Sequence, residues 1–321
     1  MSNNLPINIH KNKSNKAPKT MSIFHIEKIP KINSDMTSNN INCINDTAIY
    51  YSYLNLNFIN KKEEVFYAGE YLEEIYLNLL IEERKINIKP KIGYMSMQKE
   101  INEQMRAILI DWIIDVHFQF NLREETLYMT IFIIDTYLSF HFISRKNLQL
   151  LGISCLLISC KSEEIYFPQT NKFVEVTDGA YTKEEMIIME NEVLKQLNFN
   201  IIFPTPNDFY NILSKLYNFN KKQYFLGKYL IESALIDYQM IKYSASIISA
   251  AVVYLVMKYH GINGYQKLYN KYIVNQNNPE NIIKGAAQEI YSLVENLSKS
   301  NLTMVKNKYG LNQFENVSEI L

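Results

Sequence analysis

The stretch LQLLGISCLLISCK at residues 148–161 consists almost entirely of small and apolar residues. A helix with so few polar residues is expected to be surrounded by other helices, because a helix at a protein surface keeps one polar face. A second stretch, SASIISAAVVYLVMK at residues 244–258, has a similar composition. The two stretches are interpreted as the central helices of two similar helical units.

Helical periodicity continues around both stretches, whereas the alternation typical of strands is nearly absent. The first unit is predicted to contain helices at 99–120, 124–140, 144–161, 169–176 and 182–197, and the second at 206–216, 221–237, 243–260, 264–272 and 279–299. Ser144 is a candidate N-cap, and Thr182 followed by Glu185 is a capping-box signature. The fold class is therefore all-α, with two tandem five-helix units.

Composition divides the chain into five segments. The N-terminal segment is rich in Asn, Lys and Ser without a sustained period, so it is expected to be disordered. The segments are a disordered Asn/Lys-rich tail (1–65), an N-terminal helix with a connector (66–98), the first helical unit (99–203), the second helical unit (204–300) and a C-terminal extension (301–321).

Charge and cysteine content restrict the partners and the compartment. The 33 basic and 33 acidic residues cancel overall, but residues 99–204 carry 9 basic and 15 acidic side chains. Because DNA-binding domains usually show a basic stripe, this acidic unit favours a partner with basic residues over a nucleic acid. No secretory signal or transmembrane run is recognised, and three cysteines without metal-ligand spacing fit a reducing intracellular compartment.

The sequence lacks the common catalytic and phosphate-binding motifs. There is no glycine-rich phosphate loop, no HExxH and no GxSxG, and the five histidines are scattered. The adjacent acids Glu163 and Glu164 would point about 100° apart on a helix, so they are a poor general acid and base pair. We therefore expect a binding protein that has no enzymatic activity, cofactor or metal.

The stretch MRAILIDWIIDV at residues 105–116 predicts a helix with two apolar faces. One face carries Met105, Ile108, Leu109, Trp112 and Val116 and the other carries Ala107, Ile110 and Ile114. Composition alone predicts that such a helix is buried on both faces.

Several blocks together resemble the cyclins, in particular the mitotic A/B type, and lean toward the B type. They are PKIGYM (90–95), MRAILIDWIIDV (105–116), ETLYMTIFIIDTYLS (125–139), SRKNLQLLGISCLLISCKSEEIY (144–166), VTDGAYTKEEMIIMENEVLKQLNF (176–199), PTPNDF (204–209), ALIDYQMIKYSASIISAA (234–251) and VKNKYGLNQFENVS (305–318). The resemblance implies a non-catalytic subunit that binds and activates a cyclin-dependent kinase in G2/M control, in the nucleus and cytoplasm.

The resemblance also implies residue roles. Arg106 and Asp135 would form a structural ion pair between two helices, and Leu150 completes the family's characteristic positions. The expected kinase interface consists of Lys161, Glu163, Glu164, Glu190, Leu194 and Phe199. The expected docking patch for Arg-x-Leu substrates or inhibitors is an exposed surface of Met105, Ile108, Leu109, Trp112, Asp115, Leu148 and Gln149.

The chain departs from the family pattern in three places. Thr136 replaces a usual basic residue, and Ser162 stands where an aromatic residue is common, which predicts a weaker or differently shaped kinase interface. The N-terminal region has no KEN motif and no arginine before Arg84, so a destruction box is absent from it.

Other proteins built from similar folds fit less well. A TFIIB-like transcription factor needs a basic face and commonly a zinc ribbon, and Cys43 is the only cysteine before residue 155. The spacing of a retinoblastoma-like pocket protein is not matched. A cyclin of the transcriptional kinases is the closer competitor, and the MRAILIDW block argues against it.

Overall fold

The structure is a computed structural model that describes residues 71–86, 89–265 and 279–320. Within these ranges every regular element is a helix, so the predicted all-α class is confirmed. The predicted tail (1–65) and most of the predicted helix at 264–272 lie outside the described residues. In the described part, no helix is long and apolar enough to cross a membrane.

The first unit is built around one central helix. The N-terminal helix α1 (Leu72–Lys85) precedes the unit, which comprises α2 (Glu103–Gln119), α3 (Glu124–Leu138), α4 (Leu148–Glu163), α5 (Thr170–Glu175) and α6 (Lys183–Gln196). Every residue of α4 from Leu148 to Cys160 is buried, and α4 packs against α2, α3, α5 and α6. The prediction of a central helix at this position is confirmed.

The second unit repeats this arrangement in its described part. It comprises α7 (Pro206–Leu216), α8 (Lys221–Ile236), α9 (Ala245–Tyr259) and α10 (Pro279–Leu297), and the C-terminal extension adds α11 (Met304–Tyr309). Apolar α9 packs against α7, α8 and α10, as expected for the second central helix.

Local capping explains where several helices begin. The predicted capping box is present, with Thr182 N donating to the Glu185 carboxylate at 2.8 Å and Glu185 N donating to Thr182 Oγ1 at 3.1 Å. Ser144 caps a short 3-10 turn, Arg145–Asn147, so α4 begins at Leu148 and not at residue 144. Two further capping boxes, which were not predicted, begin α7 and α8, at Thr205–Asp208 and Asn220–Gln223.

An ion pair between a buried lysine and a partly exposed glutamate joins the two units. Lys228 of α8 is fully buried, and its Nζ lies 2.6 Å from Glu124 Oε2 at the start of α3. Lys228 also donates to the Asn207 side-chain oxygen. Burial lowers the pKa of Lys228, while the Glu124 carboxylate acts in the opposite direction. The pairing supplies the buried ammonium with the acceptors that its desolvation requires.

Both terminal helices are fastened to the units by carboxylates. Glu83 of α1 accepts hydrogen bonds from the backbone N (2.9 Å) and hydroxyl (2.6 Å) of Ser246, so it caps α9. Asp111 of α2 accepts from Met304 N at 3.0 Å, and Lys308 of α11 donates to Glu232 of α8 at 2.6 Å. The C-terminal extension therefore bridges the two units.

Candidate functional site

The predicted interface residues Lys161 and Glu190 form a pair with each other. Lys161 lies in the last turn of α4 and Glu190 on α6, with Nζ 2.6 Å from Oε1 and 2.8 Å from Oε2. The side chain of Lys161 is 41% exposed and that of Glu190 only 10%. The pair therefore presents an ammonium group to solvent above a largely desolvated carboxylate.

Phe199 follows α6 in a strained and exposed conformation. Its side chain is 67% exposed, and its φ is +57°, next to Asn198 at +50°. A left-handed conformation costs an L residue other than glycine about 1–2 kcal/mol, and the residue type here is bulky. Phe199 N donates to Leu194 O at 2.9 Å, which closes the helix end. The fold thus holds an exposed aromatic side chain at an energetic cost, which is typical of a functional position.

Glu164 is used inside the chain, although it was predicted as a kinase contact. Its Oε1 accepts hydrogen bonds from Arg123 N at 2.7 Å and from Thr126 Oγ1 at 2.6 Å. These bonds cap the start of α3, which has no side-chain cap of its own at Arg123. Glu163 is partly exposed beside it. One carboxylate oxygen of Glu164 therefore holds the start of α3, and contact of this residue with a kinase stays a prediction.

A group of exposed apolar residues adjoins the Lys161–Glu190 pair in the chain. Ile165 and Tyr166 follow α4, Ile188 precedes Glu190, and Ile202 follows Phe199. None of these four residues was predicted as a site residue. For Ile165, Tyr166 and Ile202 the signal was apolar character just beyond a helix end, and for Ile188 it was an apolar residue on the exposed side of α6. Large exposed apolar side chains are typical of a protein interface.

The docking patch expected on α2 is mostly buried, so the prediction of an exposed patch is wrong for four residues. The exposed fractions of Met105, Leu109, Trp112 and Leu148 are 5%, 0%, 6% and 0%. Leu109 packs directly on α4, where a Cβ added to Gly152 would lie 2.8 Å from Leu109 Cδ1. This close approach of the two helices removes the face from solvent. Composition alone had predicted this burial.

Part of the expected patch does reach the surface. Ile108 and Asp115 are partly exposed, whereas Gln149 is buried. Trp112 Nε1 and Gln149 Nε2 are buried donors for which the described residues provide no hydrogen-bond acceptor. Buried donors without an acceptor are uncommon, so an additional acceptor at this place would form favourable hydrogen bonds with Trp112 and Gln149.

The predicted ion pair between Arg106 and Asp135 is present and fully enclosed. Arg106 Nε lies 2.6 Å from Asp135 Oδ1 and Nη2 lies 2.7 Å from Oδ2, with both side chains at most 5% exposed. Tyr94 also donates to Asp135 Oδ1 at 2.8 Å. Burial by itself lowers the pKa of Arg106, but the adjacent carboxylate outweighs it and raises that pKa.

Arg106 also reaches the second unit. Its Nη1 donates to Leu235 O at 3.2 Å and to Ile236 O at 3.1 Å, the last carbonyls of α8. A cation at the C-terminal end of a helix is stabilised by the helix dipole. The ion pair therefore holds α2 and α3 in register and fastens them to α8, a role that the sequence did not predict.

His117 is a buried neutral histidine in the last turn of α2. Its Nε2 donates to Arg123 O at 2.7 Å. Burial lowers the pKa of His117 to about 4, and Lys308 acts in the same direction. The described residues contain no group of His, Cys, Asp or Glu side chains placed to hold a metal ion.

Acidification is expected to destabilise the protein through His117. Because the folded pKa is below the unfolded value of about 6.5, the unfolded state binds more protons, and stability falls as the pH drops from 6.5 toward 4. The loss at pH 5 is about 2 kcal/mol. Urea unfolding of the wild type and His117→Gln at pH 7 and pH 5 measures it.

His117→Gln keeps a donor for Arg123 O and should flatten the pH dependence. The raised pKa of Asp111, about 6 because of its burial, stabilises the fold on acidification, but it acts equally in both proteins. Equal losses of stability in both proteins between pH 7 and pH 5 would contradict the assignment.

The comparisons with known proteins decide the family. The family model described as the cyclin N-terminal domain matches residues 74–202, and that of the cyclin C-terminal domain matches residues 204–321. The chain belongs to the cyclin family. The predicted family, and the two tandem cyclin folds that it implies, are thereby confirmed.

Individual relatives are B-type cyclins. The chain is 38% identical to G2/mitotic-specific cyclin-B2 of Gallus gallus over 256 residues, which cover 79% of the chain and 62% of the relative. It is 42% identical to cyclin-B2-1 of Oryza sativa subsp. japonica over 187 residues, 58% of the chain and 44% of the relative. The matched region is thus less than two thirds of either relative.

A solved structure has the same fold. The viral cyclin from herpesvirus saimiri matches with a TM-score of 0.57 at 20% identity, covering 70% of this chain and 97% of the viral one. At this identity the likeness supports the fold alone.

Proposed function

We propose that this cyclin is a non-catalytic regulatory subunit that binds and activates a cyclin-dependent protein kinase. The observation that carries the proposal is the Lys161–Glu190 pair, with exposed apolar residues on both adjoining segments. Membership of the cyclin family, together with relatives named as mitotic cyclins, supports a cyclin-dependent kinase as the partner that binds this surface.

The proposed mechanism is selection of one kinase conformation. A protein kinase is active only when a strand lysine pairs with a glutamate of its C-helix. A subunit that binds the inward position of that helix more tightly shifts the equilibrium toward it, and about 5 kcal/mol of differential affinity moves it from mostly inactive to mostly active. Lys161 would donate charge-assisted hydrogen bonds, and Phe199 and Tyr166 would bury apolar area.

Removing both members of the pair is expected to weaken kinase binding strongly. Lys161→Ala with Glu190→Ala should raise the Kd at least about 30-fold, because truncating a desolvated charged contact commonly costs about 2–5 kcal/mol. Isothermal titration calorimetry with a purified mitotic cyclin-dependent kinase measures the change.

The matched control is a second surface pair of the same unit. Lys172 and Glu175 are 2.7 Å apart and well exposed, so their double alanine variant should bind the kinase normally. Undiminished binding by the Lys161→Ala, Glu190→Ala protein, with circular dichroism showing intact helices, would refute the proposed interface.

The cell-cycle stage and the location are part of the same proposal. The name of the relative G2/mitotic-specific cyclin-B2 supports action at G2 and mitosis. A location in the nucleus and cytoplasm is proposed from the resemblance to mitotic cyclins alone. Kinase activity co-purified with the tagged protein from synchronised cells should peak at mitosis, and activity constant through the cycle would argue against this timing.

A substrate-docking function of α2 is proposed in a narrower form than the sequence indicated. Ile108 and Asp115 provide a partly exposed apolar and acidic rim, and the donors Trp112 Nε1 and Gln149 Nε2 lack acceptors in the described chain. The backbone carbonyls of an Arg-x-Leu segment would supply those acceptors once the side chains that cover the donors move aside, and Asp115 would attract its arginine.

Variants at the rim are expected to separate docking from kinase activation. Ile108→Ser with Gln149→Ala should weaken binding of a fluorescent Arg-x-Leu peptide about 5-fold or more, because apolar contact and a hydrogen bond are lost. Activity of the kinase complex on a short peptide without the motif should not change. Equal losses on both substrates would contradict docking here.

Trp112→Ala is unsuitable for this test, because Trp112 is buried and its truncation would destabilise α2 directly. Asp115→Asn is the better second variant. It removes only the charge at a partly exposed position.

A further inference from the structure

Two exposed phenylalanines form a surface that none of the roles above uses. Phe140 and Phe142 lie in the loop between α3 and α4 and are 43% and 60% exposed. Lys91 Nζ lies 3.9 Å from the ring centroid of Phe140, and Lys99 Nζ lies 5.3 Å from that of Phe142. These four residues are called the basic–aromatic patch.

The backbone beneath the patch is fixed by hydrogen bonds. Buried Gln98 donates from Nε2 to Leu138 O and His141 O, each at 2.7 Å, and accepts from Ile143 N at 3.3 Å. Lys91 N donates to Ser139 Oγ at 2.8 Å. The connector before α2 and the loop before α4 are thereby held together, with both rings directed outward at little entropic cost.

The charge of the patch is opposite to that of its surroundings. The segment 99–204 carries 9 basic and 15 acidic residues, yet Lys99, Arg145 and Lys146 lie in or beside this loop, and Lys91 joins them. The nearby Glu100 carboxylate accepts from Arg145 N at 3.2 Å. An ammonium group over an aromatic ring still directs other N–H groups to solvent, where they can bind carboxylates.

We propose that the basic–aromatic patch is a docking surface for an acidic segment of a partner protein, one that carries an apolar side chain between carboxylates. The carboxylates pair with Lys91 and Lys99, and the apolar side chain covers the rings of Phe140 and Phe142. Charge complementarity selects this occupant, and the surface acts independently of the kinase interface.

The acidity of the rest of the unit distinguishes a short peptide from an extended polyanion. A membrane or a nucleic acid presents negative charge over an area wider than the patch, so it would meet the excess acidic side chains as well. A short segment contacts only the patch. Its repulsion by the acidic side chains farther away is screened by salt, because the Debye length is about 8 Å.

The test uses the full-length protein and a fluorescein-labelled peptide in which four glutamates surround one phenylalanine and one leucine. Fluorescence anisotropy should show binding that weakens between 50 and 300 mM NaCl. Lys91→Glu with Lys99→Glu should weaken binding about tenfold or more. Phe140→Ser with Phe142→Ser should also weaken it, without abolishing the salt dependence.

The control variant is Lys172→Glu with Lys183→Glu, which changes the net charge of the protein equally at exposed positions outside the patch and its loop. It should bind the peptide within twofold of the wild type. Absence of peptide binding by the wild type, or equal weakening in the control, would overturn the proposal. Patch-dependent binding to phosphatidylserine vesicles in place of the peptide, or patch-dependent dimerisation, would also overturn it. If the phenylalanine variant fails to fold, the two lysine variants decide the question.

Discussion

Asp135→Ala is expected to lower the free energy of unfolding by about 3–5 kcal/mol, because it leaves the Arg106 guanidinium buried without its counter-ion. Arg106 is 1% exposed and cannot reach water without moving α2. The variant also removes the acceptor of the Tyr94 hydroxyl. Urea unfolding followed by circular dichroism measures the loss.

Two comparison variants identify the cause of this loss. Removing the exposed pair Lys172–Glu175 should change stability by less than about 1 kcal/mol, because water already solvates both groups. Replacing the buried pair by Arg106→Met with Asp135→Leu should cost less than Asp135→Ala alone, since no charge is left uncompensated. A loss below 1 kcal/mol for Asp135→Ala would show that the pair is not the stabilising contact described above.

Gly227→Ala is expected to destabilise the second unit by about 3 kcal/mol, at the upper end of the usual cost of overpacking. A Cβ at position 227 of α8 would overlap the ring and hydroxyl of Tyr210. Tyr210 is fully buried, and its hydroxyl donates to Tyr224 O at 2.9 Å. The ring therefore has no space into which it could move, and the added Cβ forces α7 and α8 apart. Thermal unfolding measures the effect.

Gly285→Ala is the matched control, because Gly285 lies inside α10 with nothing within 4 Å of an added Cβ. Alanine has the higher helix propensity, so this variant should be more stable by about 0.5–1 kcal/mol. We therefore expect Gly227→Ala to lower the stability and Gly285→Ala to raise it. Two stabilised variants would contradict the close approach of α7 and α8.

Helices and caps could be predicted because their signals are local. The spacing of apolar residues placed α2, α3 and α6 within a few residues of their observed bounds, and Thr182 with Glu185 marked the start of α6 correctly. These features depend on residues three or four positions apart. The start of α4 was misplaced by four residues because Ser144 caps a 3-10 turn, a difference that a candidate cap alone does not show.

The candidate site could be predicted only in part. Resemblance to the family placed Lys161, Glu190 and Phe199 at one surface, but the periodicity of the sequence could not show that Lys161 and Glu190 pair with each other. It also could not show that Glu164 turns inward to cap α3, since its partners lie about forty residues earlier in the chain. Hydrogen bonds between distant segments depend on the packing of whole helices.

The sequence by itself determined the all-α class, the two central helices and the family, because these features depend on local periodicity and on blocks of adjacent residues. The tertiary structure alone decided that Glu164 caps α3 and that Arg106 holds the second unit. Burial depends on the neighbours that a residue contacts in space. Leu109 is buried because Gly152, forty-three positions later in the chain, has no side chain and lets α4 pack closely against it.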